Sequence, residues 1–308
     1  MKIPTLLGLR YRTGVAVKRA SLLVESVAGR AALALAPAGR RPPIVGVVCG
    51  RNDDYMPDFE HRLQATVEWN LRYLLSEVIF VEWNTAPDRP LLAPGIAKAF
   101  PRVRSYVVPP KVHAAVGGTE RVPMLEFHAK NVGIRRARAP WILATNADAL
   151  VGYSTARRLR ARQIDPGSVW TAQRIDISWR LGRREPATLL DVLWYRRVIP
   201  DHDLGTGEFL LASEERWLRA CGYDETSTTQ RIGIDKRGAA QLRLLGGTLR
   251  RAGTVFHMAH PTSCTEGIRG HHGEMASLEN LPYANSGDWG LASAREIELA
   301  ERVWRLEI

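Results

Sequence analysis

The chain has 308 residues, 45% hydrophobic and 24% charged, which suits one large soluble α/β domain or two close lobes. Its formal net charge of +11 favours anionic partners such as nucleotide phosphates, nucleic acid or an anionic membrane face, with solvated surface arginines as the plain alternative. The three cysteines, Cys49, Cys221 and Cys264, form no CxxC pair, so no disulfide framework or zinc ribbon is indicated and a reducing cytoplasm is the simplest home.

Residues 1–42 read as a leader. No run reaches the roughly 18 apolar residues needed to span a bilayer, and Arg10 and Arg12 interrupt the apolar patch at 3–9, which makes a poor signal peptide. From Thr13 to Leu35 apolar residues (Val17, Leu22, Leu23, Val27, Leu33) recur at helical spacing among Lys18, Arg19 and Arg30. Pro37, Pro42 and Pro43 then mark a linker. The expectation is a helix that either packs on its own domain or, through residues 1–40, rests peripherally on the inner face of an anionic membrane.

The domain proper opens with a buried strand, 44–49, and a polar turn, 50–54. An amphipathic helix follows at 59–75, with Phe59, Leu63, Val67, Leu71 and Leu74 on one face. Strand 77–82 ends in Glu82, and 103–108 is a third, peripheral strand. A basic amphipathic helix then leads through Ala139-Pro140 into a buried strand, 141–145, which stops at Asn146-Ala147-Asp148. Strand, helix, strand in this rhythm predicts a doubly wound parallel sheet. No GxGxxG or GxxxxGK[ST] follows the first strand, which disfavours a dinucleotide-type site and removes a P-loop.

Beyond residue 150 the pattern predicts a strand within 169–179, carrying Arg174, Asp176 and Trp179, and a helix over 187–198. A turn at Gly205 and Gly207 precedes a strand at 209–212, and Ser213 caps a helix over 214–220. Asp235 opens a helix over 236–245, and 253–260 is the last strand. Residues 261–290 read as loop with His271-His272, and 292–306 as an amphipathic terminal helix.

A carboxylate at the carboxyl end of an apolar strand lies where open α/β sheets place ligands. Side chains alternate along extended backbone, so Asn146 and Asp148 point the same way. Two such oxygen-bearing groups suit a hard divalent cation carrying a diphosphate. A strand-end turn residue is the plain alternative for Asp148.

In this order the features resemble the GT-A type nucleotide-sugar glycosyltransferases. The polar turn after the first strand, the acid ending the second, and KNVGIRRARAPWILATNAD look like the nucleotide half of family-2 enzymes. GEFLLASEERWLRACGYDE, then Asp235 and HMAH, is similar to the galactosyltransferase-like C-terminal region. The resemblance covers roughly residues 44–260. It implies a Rossmann-like doubly wound, mostly parallel sheet, with a nucleotide-sugar half at 43–150, an acceptor and catalytic half at 151–290, and a C-terminal helix at 291–308.

It also implies a hexosyltransferase-like enzyme with Mn2+ or Mg2+, a nucleotide-diphosphate sugar as donor and a hydroxyl acceptor on a glycan, lipid or small molecule; nucleic acid is not expected. Asp148, His257 and His260 would hold the metal. Asn146 stands at the first DxD position and, being neutral, would bind metal weakly or contact the ribose. Glu82 and the turn Arg51, Asn52, Asp53 would face the base or ribose, and Lys130 and Asn131 would border the nucleotide. Asp235 matches the general base of inverting members, Glu208 an acceptor-facing acid, and Glu225 is the rival base.

Each role has a structural alternative. Asp235 could be only a helix N-cap. His257 and His260 face opposite sides of a regular strand, so both reach one ion only if the strand has ended between them. Lys130 could be a solvated helix charge. The group His257, His260, Cys264, His271 and His272 fits no closed zinc site well. Two other classes remain: a nucleotidyltransferase, which needs a glycine-rich basic loop after the first strand, and a nucleic-acid-binding module, which would show salt-dependent, metal-independent binding.

Overall fold

The computed structural model describes residues 6–35, 42–53, 55–161, 164–182, 185–193, 195, 197–198, 207–260, 274–275 and 277–308. The proposed linker at 36–41, the turn residue Gly205, and Cys264, His271 and His272 of the zinc alternative lie outside them.

After helix α1 (Leu6–Leu35), the chain alternates β1 (Ile44–Gly50), α2 (Phe59–Tyr73), β2 (Glu77–Trp83), α3 (Ala93–Ala99), β3 (Val103–Val108), α4 (Pro110–Ala115), α5 (Glu126–Arg136) and β4 (Trp141–Thr145). β5 (Ala149–Val151), α6 (Tyr153–Ala161), β6 (Ser168–Ile177), α7 (Leu189–Leu193), β7 (Arg197–Val198), β8 (Phe209–Ser213) and α8 (Glu214–Ala220) follow. The last elements are β9 (Gln230–Ile232), α9 (Ile234–Leu244), β10 (Thr248–Met258), β11 (Glu274–Met275), β12 (Arg295–Ala300) and β13 (Val303–Glu307).

The main sheet runs β12-β13-β3-β2-β1-β4-β8-β6-β10-β5, with β7 beside β6. It is parallel from β13 to β4, and over β1 to β4 this is what the strand–helix rhythm predicts. Along β2, Val78 and Phe80 enter one core layer while Ile79, Val81 and Trp83 enter the other. Both faces are therefore covered, by α2, α3 and α6 on one side and α5, α8 and α9 on the other, which is what near-continuous apolar strands require.

β8 is antiparallel to both β4 and β6, and β10 is parallel to β6. The carboxyl ends of β1, β4, β6 and β10 thus share one edge. β5 lies four strands from β4 in this order yet starts just after Asn146-Ala147-Asp148. A flat sheet would separate them by about 19 Å, beyond the roughly 14 Å that so short a connection spans. The sheet therefore curls, and the curl brings the segment after β4 against β10.

Four expectations need correction. The 291–308 segment is a β-hairpin, β12 against β13, rather than a helix. β3 otherwise leaves an open edge; β13 fills it in parallel register, burying Val303 and Leu306 and stacking Trp304 on Tyr106 at 5.3 Å. Packing overrides the helical spacing there. β3 is consequently an interior strand, not a peripheral one. The helix expected over 187–198 shrinks to α7, opened by a reciprocal Thr188–Asp191 capping pair and followed by β7, which pairs with β6. Gly233, at φ 85°, caps α9 without a side-chain bond, so Asp235 lies inside its first turn and is not the cap.

α1 packs against α6 and α7, turning Leu22, Ser26 and Gly29 inward. At Gly29 an added Cβ would fall 2.7 Å from the Tyr153 carbonyl carbon, so only glycine permits this approach.

Candidate active site

At the shared carboxyl edge lies a cavity of about 210 Å3, lined by residues of the β1 turn, the β4 end, β6, the start of β8 and the β10 end. Asp148 reaches it through two backbone features. β5 pairs antiparallel with β10, setting Ala149 opposite His257, and the Met258 amide donates to the Asp148 carbonyl at 3.0 Å. The half-site at Asp148 is completed by residues about a hundred positions away.

β10 ends at Met258, which frees His260 from the strand's alternation. Both histidines then turn to one carboxylate: His257 Nε2 lies 2.9 Å and His260 Nε2 3.2 Å from Asp148 Oδ2. Arg62 of α2 holds the chain in this course by donating to the carbonyls of Met258 at 2.7 Å and Ala259 at 3.4 Å. Nothing in the residues around Arg62, which borders the apolar face of its helix, points to this role.

Two further residues, Arg174 and Asp176 on β6, were noted in sequence only as strand polarity. The β6–β10 register sets His257 beside Asp176, and His257 Nδ1 lies 3.1 Å from Asp176 Oδ1. Arg174 donates to Asp176 at 2.7 Å and to Glu208, and its Nη2 lies 2.9 Å from His257 Nδ1. We place a proton on Nδ1 and let it donate to Asp176, because a carboxylate accepts it and a guanidinium cannot. A signal was available: Arg174 and Asp176 alternate with the apolar Ile175 and Ile177 along one buried strand.

Burial alone would raise the Asp148 pKa, but the two imidazoles hold it well below the usual carboxylate range. Burial likewise opposes charge on His257, yet Asp148 and Asp176 raise its pKa to about 9. Arg174 is raised by Glu208 and Asp176 against its desolvation. Three carboxylates, Asp148, Asp176 and Glu208, face one guanidinium here. With neutral imidazoles the cluster keeps a negative surplus that suits a cation.

Asp148, His257 and His260 offer one oxygen and two nitrogens, all within 4.8 Å of one another, and form a group of metal-ligand character among the described residues. The set fits a divalent ion, and its two imidazoles favour Mn2+ over the oxygen-preferring Mg2+. Three protein donors leave room for ligand oxygens and water.

The predicted nucleotide contacts divide. Arg51 and Asp53 line the cavity and pair with each other at 3.3 Å. Asn52 turns away, its amide donating to the Pro90 carbonyl at 2.8 Å. Asn146 lines the cavity, with Oδ1 accepting from Lys130 at 2.7 Å. Lys130 is not a solvated helix charge: it is fully buried and also donates to Glu126 at 2.7 Å and to the Gly207 carbonyl. Burial opposes its charge, but Glu126 more than restores it and its pKa is raised.

Three expectations fail on geometry. Glu82 does not face a base or ribose; both its oxygens accept the Leu92 and Ala93 amides that start α3. Asn131 does not border a nucleotide but clamps Tyr223 and Glu225. Glu225 lies away from the main cavity, lining a separate cavity with Trp83, His128 and Asp288. Glu208 lines the main cavity. Asp235 is half-buried beside Gly207, its carboxyl pKa raised by burial and by nearby Glu208.

No family model matches the chain, and no curated protein does. Among solved structures it is similar to PcManGT, a mannosyltransferase of Pyrobaculum calidifontis in complex with GDP-Man and Mn2+, at 15% identity and a TM-score of 0.46, covering 82% of this chain and 68% of that one. S. aureus TarS residues 1–349 match at 12% identity and 0.44, covering 70% and 60%. A second TarS structure matches at 12% and 0.43, covering 71% and 37%. The chain thus spans less than two thirds of either TarS chain.

Proposed function

We propose that the chain is a metal-dependent glycosyltransferase that moves a sugar, of hexose type, from a nucleotide-diphosphate donor to an acceptor hydroxyl with inversion. One observation carries the reading: Asp148, His257 and His260 converge on a cavity at the carboxyl edge of a parallel sheet, where α/β folds bind ligands. The ordered motif resemblance described above supplies the reaction class.

A divalent ion held by these three residues would act as a Lewis acid for the diphosphate. Arg51 and Asp53 border the nucleoside side of the cavity. Asp176 keeps the His257 ring turned so that Nε2 faces Asp148. Arg174 offsets part of the carboxylate charge on the wall where the leaving diphosphate gains negative charge. Asp235, whose raised pKa strengthens it as a base, takes the acceptor hydroxyl proton. The acceptor oxygen attacks the anomeric carbon, and the bond from that carbon to the diphosphate oxygen breaks. Glu208, neutralised by Arg174, orients the acceptor.

A panel of nucleoside diphosphates with and without Mn2+, read by thermal shift, tests the proposal. Stabilisation by a nucleoside diphosphate only with metal, lost in Asp148→Ala, is expected. Equal shifts in the wild type and Asp148→Ala would sink the clamp. Asp235→Asn should keep nucleotide binding and lose transfer; a fully active variant would move the base elsewhere.

A further inference from the structure

α1 presents two unlike faces. The inward one, with Leu22, Ser26 and Gly29, is spent on α6 and α7. On the outward one Val17 is 66%, Val24 67%, Val27 46% and Leu35 84% exposed, and Ala20, Ala28 and Ala31 between them are exposed too. A helix on a protein in water turns charged and polar residues outward. This one is apolar on both sides, so its outer face fits something other than water. α7, which packs on α1, adds Leu190 at 67% exposure.

The charge around this stripe is mainly basic. Among the described side chains α1 holds Arg19 and Arg30 against Glu25, α6 holds Arg157, Arg158 and Arg160 with no acid, and α7 adds Asp191. Arg30, Arg157 and Arg158 are exposed. A second copy docked through this face would bring like charges together, which costs several kcal/mol. No helix of the described residues is long and apolar enough to cross a membrane. An apolar stripe with a basic frame, too polar to span, matches a helix lying in the plane of an anionic lipid surface.

We propose that α1 and α7, framed by the arginines of α1 and α6, form a docking face for an anionic bilayer, with α1 lying along the headgroup–acyl boundary. Val17, Val24, Val27, Leu35 and Leu190 enter the boundary, and the arginines meet lipid phosphates. This face is separate from the cavity at the carboxyl edge, so the assignment stands whatever reaction the cavity performs.

Vesicle co-sedimentation of the full chain tests it, with phosphatidylcholine alone and with equimolar phosphatidylcholine and phosphatidylglycerol. The chain should sediment with the anionic vesicles, less so as salt rises, and not with the neutral ones. Val24→Asp combined with Leu190→Asp changes only exposed positions, so folding is retained, as an unchanged thermal midpoint would confirm. Its partitioning should fall roughly tenfold or more, while Arg157→Glu with Arg158→Glu should weaken binding to anionic vesicles alone. A wild type that stays in solution with anionic vesicles overturns the proposal. So does a double apolar variant that binds as the wild type does, or a lipid-free dimer that this variant abolishes.

Discussion

Glu82 and Asp148 look alike in sequence: each is an acid at or just past the end of an apolar strand, and both are buried. Their surroundings differ in kind. Glu82 is met by the Leu92 and Ala93 amides and the Thr85 hydroxyl, all within eleven residues, and so does the work of a helix cap. Asp148 is met by two imidazoles that arrive from the far end of the chain and that can exchange it for a cation. The same division runs along the whole edge. On the β2 side Asn131 and Glu225 are tied into internal bonds, whereas on the β4–β10 side Asp148, Arg174, Glu208, His257 and His260 all line the cavity. A strand-end carboxylate therefore marks a site only when its partners are ligand-type groups.

The widest separation between the two sides should come from their acids. Asp148→Ala is expected to weaken Mn2+ binding by at least about 100-fold, read by isothermal titration of the metal alone. Glu82→Ala should leave that affinity unchanged. It strands two amides and a hydroxyl, so a loss of about 2–4 kcal/mol is expected in urea unfolding. A Glu82→Ala protein with native stability and weakened nucleotide binding would reverse the division.

A smaller effect is expected one shell out. Asp176 fixes the His257 ring through Nδ1, the carboxylate–imidazole–metal arrangement that orients a ligand. Asp176→Asn should lower Mn2+ affinity about 10- to 100-fold and disturb the His257 ring signals in nitrogen NMR. Unchanged affinity would confine Asp176 to holding Arg174.

Much of the β1–β4 half was legible, because apolar alternation, a cap or a proline stop is written into neighbouring residues. The 141–145 strand is a case in point, and the Ser213 cap shows the same beyond that half. Asp148 and the two histidines were legible through their residue types, and the end of β10 at Met258 resolves how both rings reach one carboxylate. Arg62, Arg174 and Asp176 were not legible as site residues, since only the β6–β10 register and the curl of the sheet bring them together. The terminal hairpin was misread for a related reason: the open edge of β3, not local propensity, decides its conformation.

The gentlest probe falls on the structural side of the edge. Glu225 Oε1 accepts from Asn131 at 2.8 Å and from the Gly290 amide at 3.0 Å, yet burial pushes its pKa up from 4.5 to about 7. In the unfolded chain this carboxyl ionises near 4.5, while in the folded chain it stays protonated until about 7. Folding then holds an extra proton across that window, so the group's contribution to stability is present below 4.5 and is lost as pH rises through 7. Glu225→Gln keeps both bonds, since an amide oxygen accepts as a carboxylate does, and carries no proton to lose. Relative to the wild type it should gain about 1–3 kcal/mol between pH 4.5 and 7 and then level off, as measured by urea unfolding at several pH values. Parallel profiles for the two proteins would mean that Glu225 is already ionised when folded, and the cavity it lines would then hold a charge of the kind so far confined to the β4–β10 side.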